Sequence, residues 1–444
     1  MTAASTAPSR ALRRNRSYLL LVGAQGASVL GGQIMTMALP LLVLGLTGSP
    51  THAGLAAAVG AAPHIVLSLA AGALVDRWDR RTVLLVCVAV RAAVLLWVPV
   101  AHELRVLEVT QLYALSLLNG TAFVFFNIAE LSVLPELVDK AQLSRASSVN
   151  AVVESTAALT GPGLGGALVA LGGSPVDGGA LAFLTAGIAY AAATGPLLLL
   201  PRGQAPKPGT RQAGAPETAR EAAGAGWRAR LVREIAEGLG FLWRHRDIRR
   251  IALTSAALNL LFSPCYLAVL VLARDELHAS EVYVGLIFSL GGAGGILGGI
   301  LASRIAGRRN APGVIVGSVL AWAAVMPLLP AARAPETLIA GWILVTLISP
   351  VYDVTQLSYR LSMVPDGLQG RVNSTFRFIA WGLRPLAMGL GGVATSALGP
   401  RALLWTCAGG MALLAVAVLV GGPRTTKVPS PAVEDPTPTT DNRR

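Results

Sequence analysis

Charge is what the sequence has least of. Asp, Glu, Lys and Arg make up 13% of the 444 residues, against about 25% in an ordinary soluble protein. With 53% hydrophobic residues and a mean hydropathy of +0.61, a soluble globular fold is excluded. Cysteine is nearly absent: Cys87, Cys265 and Cys407 are odd in number and all lie in apolar runs. That excludes a disulfide framework and leaves them as packing residues. The five histidines form no ligand cluster, and neither a nucleophile elbow nor a nucleotide-binding loop is present. The glycines over 291–299 lie inside an apolar run rather than between a strand and a helix. These absences argue against an enzyme, and neither a metal nor a cofactor is expected.

What is present is a succession of apolar runs, most about 20 residues long, the length that carries a helix across a bilayer. They fall at about 17–46, 53–75, 82–100, 107–131, 147–171 and 179–200, then at about 251–273, 282–303, 313–329, 336–359, 373–398 and 401–421. The chain reads as an all-α polytopic membrane protein of twelve transmembrane helices. It divides into a six-helix bundle over 1–200, a polar linker over 201–250, a second six-helix bundle over 251–422 and a Pro/Thr-rich tail over 423–444, read as disordered. The linker ends in a partly amphipathic stretch from Trp227 to His245, expected to lie on the membrane surface. The first run is too long for a cleaved signal peptide and reads as a retained helix.

The net charge of +13 would suggest nucleic acid in a soluble domain. Here it reports topology, and no nucleic-acid partner is expected. About 29 of the 36 basic residues fall in the tails, the linker and alternate loops; about four, Arg105, Arg274, Arg333 and Arg401, fall in the opposite loops. Since Lys and Arg accumulate on the cytoplasmic side, both termini are expected inside, with the protein in the cell inner (plasma) membrane.

One loop organises the chain: Gly72-Ala-Leu-Val-Asp-Arg-Trp-Asp-Arg-Arg81, between the second and third runs. It has a counterpart 227 positions later, Gly299-Ile-Leu-Ala-Ser-Arg304, and the stretch ending at Arg145 has one ending at Arg371, 226 later. Two similar offsets indicate duplicated halves. The pattern Gly-x-Leu-x-Asp-Arg-x-x-Arg-Arg in this position resembles the signature loop of the major facilitator superfamily. The resemblance implies two six-helix repeats with a binding cavity between them, and a cytoplasmic gating loop formed by Gly72, Asp76, Arg77, Arg80 and Arg81. Asp76 would then hold the start of helix eleven, near Asn373 and Ser374; the alternative is that it pairs with Arg77 or Arg81 in solvent. In the fifth run, Gly161-Pro-Gly-Leu-Gly-Gly166 resembles the motif of proton-driven antiporters in that superfamily, through Gly161, Pro162, Gly165 and Gly166. A proline kinks a membrane helix, and glycines spaced by four admit close helix approach. A kink needed only for packing is the alternative. The matching surface expected is Gly291, Gly295 and Gly299 in helix eight.

Together with Leu134-Pro-Glu-Leu-Val138 and Arg145-Ala-Ser-Ser148, these motifs look like the branch holding the enterobactin exporter and the macrolide efflux pumps. Gly32-Gln33 departs from that branch's Gly-Asp pair, so any coupling carboxylate lies elsewhere. Charged groups inside the spans are costly, about 2.5–3.5 kcal/mol each at the helix centre. Glu154, two turns before Gly161, and Asp353 are the proton-coupling candidates. Glu154 alternatively binds a cationic substrate or pairs with Arg91, and Asp353 alternatively pairs with Arg384. Glu130 and Arg377 sit near helix ends, where they can snorkel. Gln33, Arg91, Asn119, Asn127, Asn259 and Arg384 are the cavity candidates. The function expected is export of small amphipathic molecules, drug-, antibiotic- or siderophore-like, by proton antiport with alternating access. Uptake, or a sensor retaining the fold, is the alternative. The expected partners are the substrate, protons and the bilayer, with the protein a monomer.

Overall fold

The computed structural model describes residues 12, 15–75, 78–138, 142–200, 236–237, 239–305, 310–365 and 368–421. Among them the regular structure is helical, without strands. The first half holds α1 (Arg16–Thr47), α2 (Pro50–Val75), α3 (Arg80–Glu103), α4 (Val109–Leu137), α5 (Leu143–Leu171) and α6 (Pro175–Leu198). The second holds α7 (Arg246–Val271), α8 (Glu281–Ile305), α9 (Ala311–Val325), α10 (Pro335–Met363), α11 (Gln369–Trp381), α12 (Arg384–Leu398) and α13 (Pro400–Gly421). Nine described helices are long and apolar enough to cross a membrane. In α5 the apolar signal is diluted by serines, threonines and Glu154. The run at 373–398 is two helices, α11 and α12. Pro385 has no N–H to donate one turn back, and the break falls at Gly382.

Helix starts follow local chemistry. Asn15 caps α1 by accepting from the Tyr18 amide at 3.1 Å, and its own amide reaches the Leu137 carbonyl at 2.6 Å, tying α1 to the end of α4. Asp79 caps α3 through the Thr82 amide at 3.1 Å and hydroxyl at 2.6 Å. Arg81 spans the loop differently: its Nε donates to the Leu197 carbonyl at 3.1 Å and its Nη2 to that of Leu198, adding charged donors to the carbonyls at the end of α6. Arg81→Ala is therefore expected to lower stability by about 1 kcal/mol, seen as a lower thermal midpoint in detergent; an unchanged midpoint would contradict this.

α1 packs on α5 and α6, α2 on α4, and α3 on α4 and α6; in the second half α8 and α9 pack on α10, and α12 and α13 on α7. Two seams join the halves, α5 against α8 and α2 against α12. Both depend on glycine. A Cβ on Gly54 would lie 2.6 Å from Gly392 Cα and 2.7 Å from the Met388 carbonyl oxygen; one on Gly166 would lie 2.4 Å from the Glu281 carbonyl oxygen and 2.8 Å from Gly285 Cα. Gly54 is near the start of α2 and Gly392 near the end of α12, while Gly166 is near the end of α5 and Gly285 near the start of α8. The antiparallel hairpins put both close contacts at the same end of the molecule.

Candidate functional site

Between the halves lies a cavity of about 1000 Å³, lined from the first half by α1 to α6 and from the second by α7, α10 and α12. It contains Gln33, Arg91, Asn119, Asn127, Glu154, Asn259 and Arg384, bringing seven sequence candidates to one place. Arg91 is 4% exposed and held without an acid: its Nε donates to Asn119 Oδ1 at 3.0 Å, and its guanidinium sits 4.2 Å from the Tyr190 ring centre and 5.2 Å from that of Phe123. Amide and aromatic faces thus offset its burial. Asn127 and Asn259 donate back to the carbonyls of Phe123 and Ser255 on their own helices, at 3.0 and 2.9 Å.

The carboxylates are arranged otherwise. α5 begins at Leu143, so Glu154 lies eleven residues in, about 16 Å along the axis. Glu130, seven residues before the end of α4 and 9% exposed, lines the same cavity and senses the charge of Glu154. It is not a snorkelling end residue. Its apolar run ends near 131, but the helix continues to Leu137 and carries Glu130 inside the bundle. Among the described residues neither carboxylate has a hydrogen bond or ion-pair partner. The Glu154–Arg91 pair does not form.

A second cavity, of about 550 Å³, opens between α7, α10, α11 and α12. Asp353 lines it rather than the central one, with Arg360, Arg377 and Arg384. Asp353 and Arg384 share this wall with no ion pair between them. Arg384 lines both cavities, and with Arg377 acts electrostatically on His64 of α2. Sequence reasoning misses Arg360 altogether; as the last basic residue of α10 it reads in sequence as a loop charge.

The Gly161–Gly166 segment sits between α1 and α8. A Cβ on Gly161 would meet Gln33 Cβ at 2.3 Å, and one on Gly165 would meet the Ile34 carbonyl oxygen at 3.0 Å. On the opposite face the Gly163 amide donates to Ser289 Oγ at 2.6 Å, satisfying backbone beside Pro162. The α8 surface against α5 is thus Gly285, Ser289 and Gly292, one helical face. The expected surface does not form: a Cβ on Gly291 would meet Trp342 of α10, and Cβ atoms on Gly295 and Gly299 would meet nothing within 4 Å. Of the expected gating loop, Gly72 belongs to α2 and Arg80 and Arg81 open α3, while Asp76 and Arg77 lie outside the described residues.

The sequence matches the profile of the Major Facilitator Superfamily over residues 21–384 and again over 252–443. The chain belongs to the major facilitator superfamily. Among curated relatives, the multidrug efflux pump Tap of Mycolicibacterium fortuitum is 28% identical over 418 residues, covering 91% of this chain and 95% of that protein. Tap of Mycobacterium tuberculosis strain H37Rv is 27% identical over 410 residues, covering 88% and 89%. Among solved structures, an inward-facing bacterial homologue of the iron transporter ferroportin aligns with a TM-score of 0.72 at 14% identity, covering 94% of this chain and all of that one. A D323A mutant of the nucleoside transporter NupG aligns at 0.70 and 14%, covering 91% and 99%. The likeness to these structures is one of fold. In the terms of the superfamily this is a multi-pass membrane transporter rather than an enzyme, and the central cavity lies between its two halves.

Proposed function

We propose that this transporter exports small amphipathic molecules from the cytoplasm in exchange for protons, by alternating access. The observation that carries the reading is the pair Glu130 and Glu154, two carboxylates on the consecutive helices α4 and α5 that line the central cavity with no ion-pair partner among the described residues. An ionised carboxylate there costs about 2.5–3.5 kcal/mol, and taking up a proton removes that cost. A cationic substrate group can do the same, so proton and substrate compete for one place, which is what exchange requires. Drug- and antibiotic-like compounds are the substrates favoured by the relatives named multidrug efflux pumps; the siderophore-like class rests on the sequence motifs alone.

Twelve crossings, with α11 and α12 forming one, place both termini and the 201–250 linker in the cytoplasm and the protein in the plasma membrane. The 1–200 and 251–422 halves then rock about the cavity, and the Gly54–Gly392 and Gly166–Gly285 contacts close its outer end. Gly72, Asp76, Arg77, Arg80 and Arg81 serve the cytoplasmic gate, and the transporter works as a monomer. Everted vesicles expressing the protein are expected to take up a cationic dye when energised, and to lose that uptake on adding a protonophore. Uptake that persists without a proton gradient would sink the antiport reading; energy-dependent movement in the opposite direction would favour import.

A further inference from the structure

The second cavity is lined by three arginines and one acid, with no ion pair among them. Arg360 is 3% exposed and stacks 3.6 Å from the Phe376 ring centre. It donates to Gln356 Oε1 at 3.1 Å and Asn373 Oδ1 at 2.8 Å, but its buried Nε has no partner among the described residues. Arg377 lies 4.7 Å from the Trp381 ring centre, and neither it nor Arg384 has a hydrogen-bond or ion-pair partner among the described residues. The acid on the wall, Asp353, forms no salt bridge with any of the three. Arg91 of the central cavity lies against two rings; Arg377 has one ring and Arg384 none among the described residues, and both side chains are exposed where they line the cavity. The wall around them is fixed by Tyr352 to Ser255 at 2.8 Å and by Trp322 Nε1 donating to the Val345 carbonyl at 2.9 Å, so the charges surround a preformed space rather than a collapsed one. Phe376 and Trp381 line it beside them.

We propose that this cavity binds an anionic group, a carboxylate or phosphate-type oxyanion, of an amphipathic aromatic substrate. The guanidiniums supply planar donors suited to an oxyanion, the rings take the aromatic part, and Arg384 connects the site to the central cavity and its carboxylates. The transporter thereby favours anionic or zwitterionic substrates over their neutral-headed analogues. The assignment builds on the export reading, but its test does not require transport.

The probes are rhodamine B, which bears a free carboxylate, and its ethyl ester, which does not. Binding of each to purified protein in phosphatidylcholine nanodiscs is read by quenching of tryptophan fluorescence. The acid is expected to bind at least about tenfold more tightly than the ester, as charge-assisted hydrogen bonds imply. Arg377→Gln with Arg384→Gln should bring the ratio to about one, and the corresponding double Lys variant should restore part of the preference. Equal affinities in the wild type, or a preference that survives the Gln substitutions, would overturn the site. A wild-type preference abolished by adding phosphatidylglycerol would assign the site to a lipid headgroup and overturn the substrate reading. If the acid is preferred in nanodiscs yet neither dye is moved by energised vesicles, the anion site stands and export fails. If the ester is transported and the two dyes bind equally, export stands and the anion site fails.

Discussion

Glu154→Gln is expected to retain substrate binding, weakened for cationic substrates, and to lose uphill efflux. The amide keeps the carboxyl's shape and removes its titration. Each proton moving down about 100 mV releases about 2.3 kcal/mol, while a hundredfold gradient of a neutral compound costs about 2.8 kcal/mol. One or two protons per cycle suffice, and the central cavity holds two carboxylates, Glu130 and Glu154. With Glu154 silent, the accumulation ratio in energised vesicles should fall from tens to about one, leaving substrate exchange that no longer responds to pH. Glu130→Gln should weaken coupling as well, since Glu130 lines the same cavity with no partner of its own among the described residues. Normal proton-driven accumulation by Glu154→Gln would remove the role from this residue and pass it to Asp353, which lines the neighbouring cavity.

The second large effect is steric. Gly54→Val would put a side chain where Gly392 Cα lies 2.6 Å from the Cβ position and the Met388 carbonyl oxygen 2.7 Å. Both are backbone atoms, so no side-chain rotation relieves the clash, and overpacking of this kind costs about 1–3 kcal/mol. The α2–α12 seam should be held apart and efflux fall by at least about tenfold. Gly295→Val, at a site with nothing within 4 Å, controls for adding bulk to a helix glycine and should stay within about twofold of wild type. Wild-type efflux by Gly54→Val would show that the cycle does not need this contact.

These effects are unequally legible in the sequence. Helices and their order follow from the spacing of apolar runs, because a bilayer dictates span length whatever the packing. Which face a glycine presents is not legible. Gly291, Gly295 and Gly299 repeat every four residues and look like the α5 partner, yet Gly285 and Gly292 make that contact with Ser289 between them. The serine is the available clue, since its hydroxyl oxygen can accept from a backbone amide at the kink, here that of Gly163. Gln33, Arg91, Asn119, Asn127, Asn259, Glu154 and Arg384 stand out as polar groups deep in spans, and burial cost alone suffices to send such groups to one cavity. Partnership is harder to read. Arg91 takes Asn119 and two aromatic rings instead of Glu154, a choice made by helix rotation that no spacing encodes. Glu130 and Arg360 are obscured for one reason: α4 and α10 run past the expected ends of their spans, to Leu137 and Met363, placing inside the bundle residues that look like its rim.

The exchange of protons for substrate is tested most directly by watching the proton itself. Purified protein is reconstituted into sealed liposomes with a pH-sensitive dye in the lumen, and an outward gradient of a transported cationic dye is imposed with no initial pH difference and the membrane potential clamped. The account predicts that substrate leaving the lumen drives protons in, acidifying it, and that Glu130→Gln with Glu154→Gln abolishes the proton signal while downhill movement of the dye continues. Substrate efflux at the wild-type rate with no change in lumenal pH would contradict it.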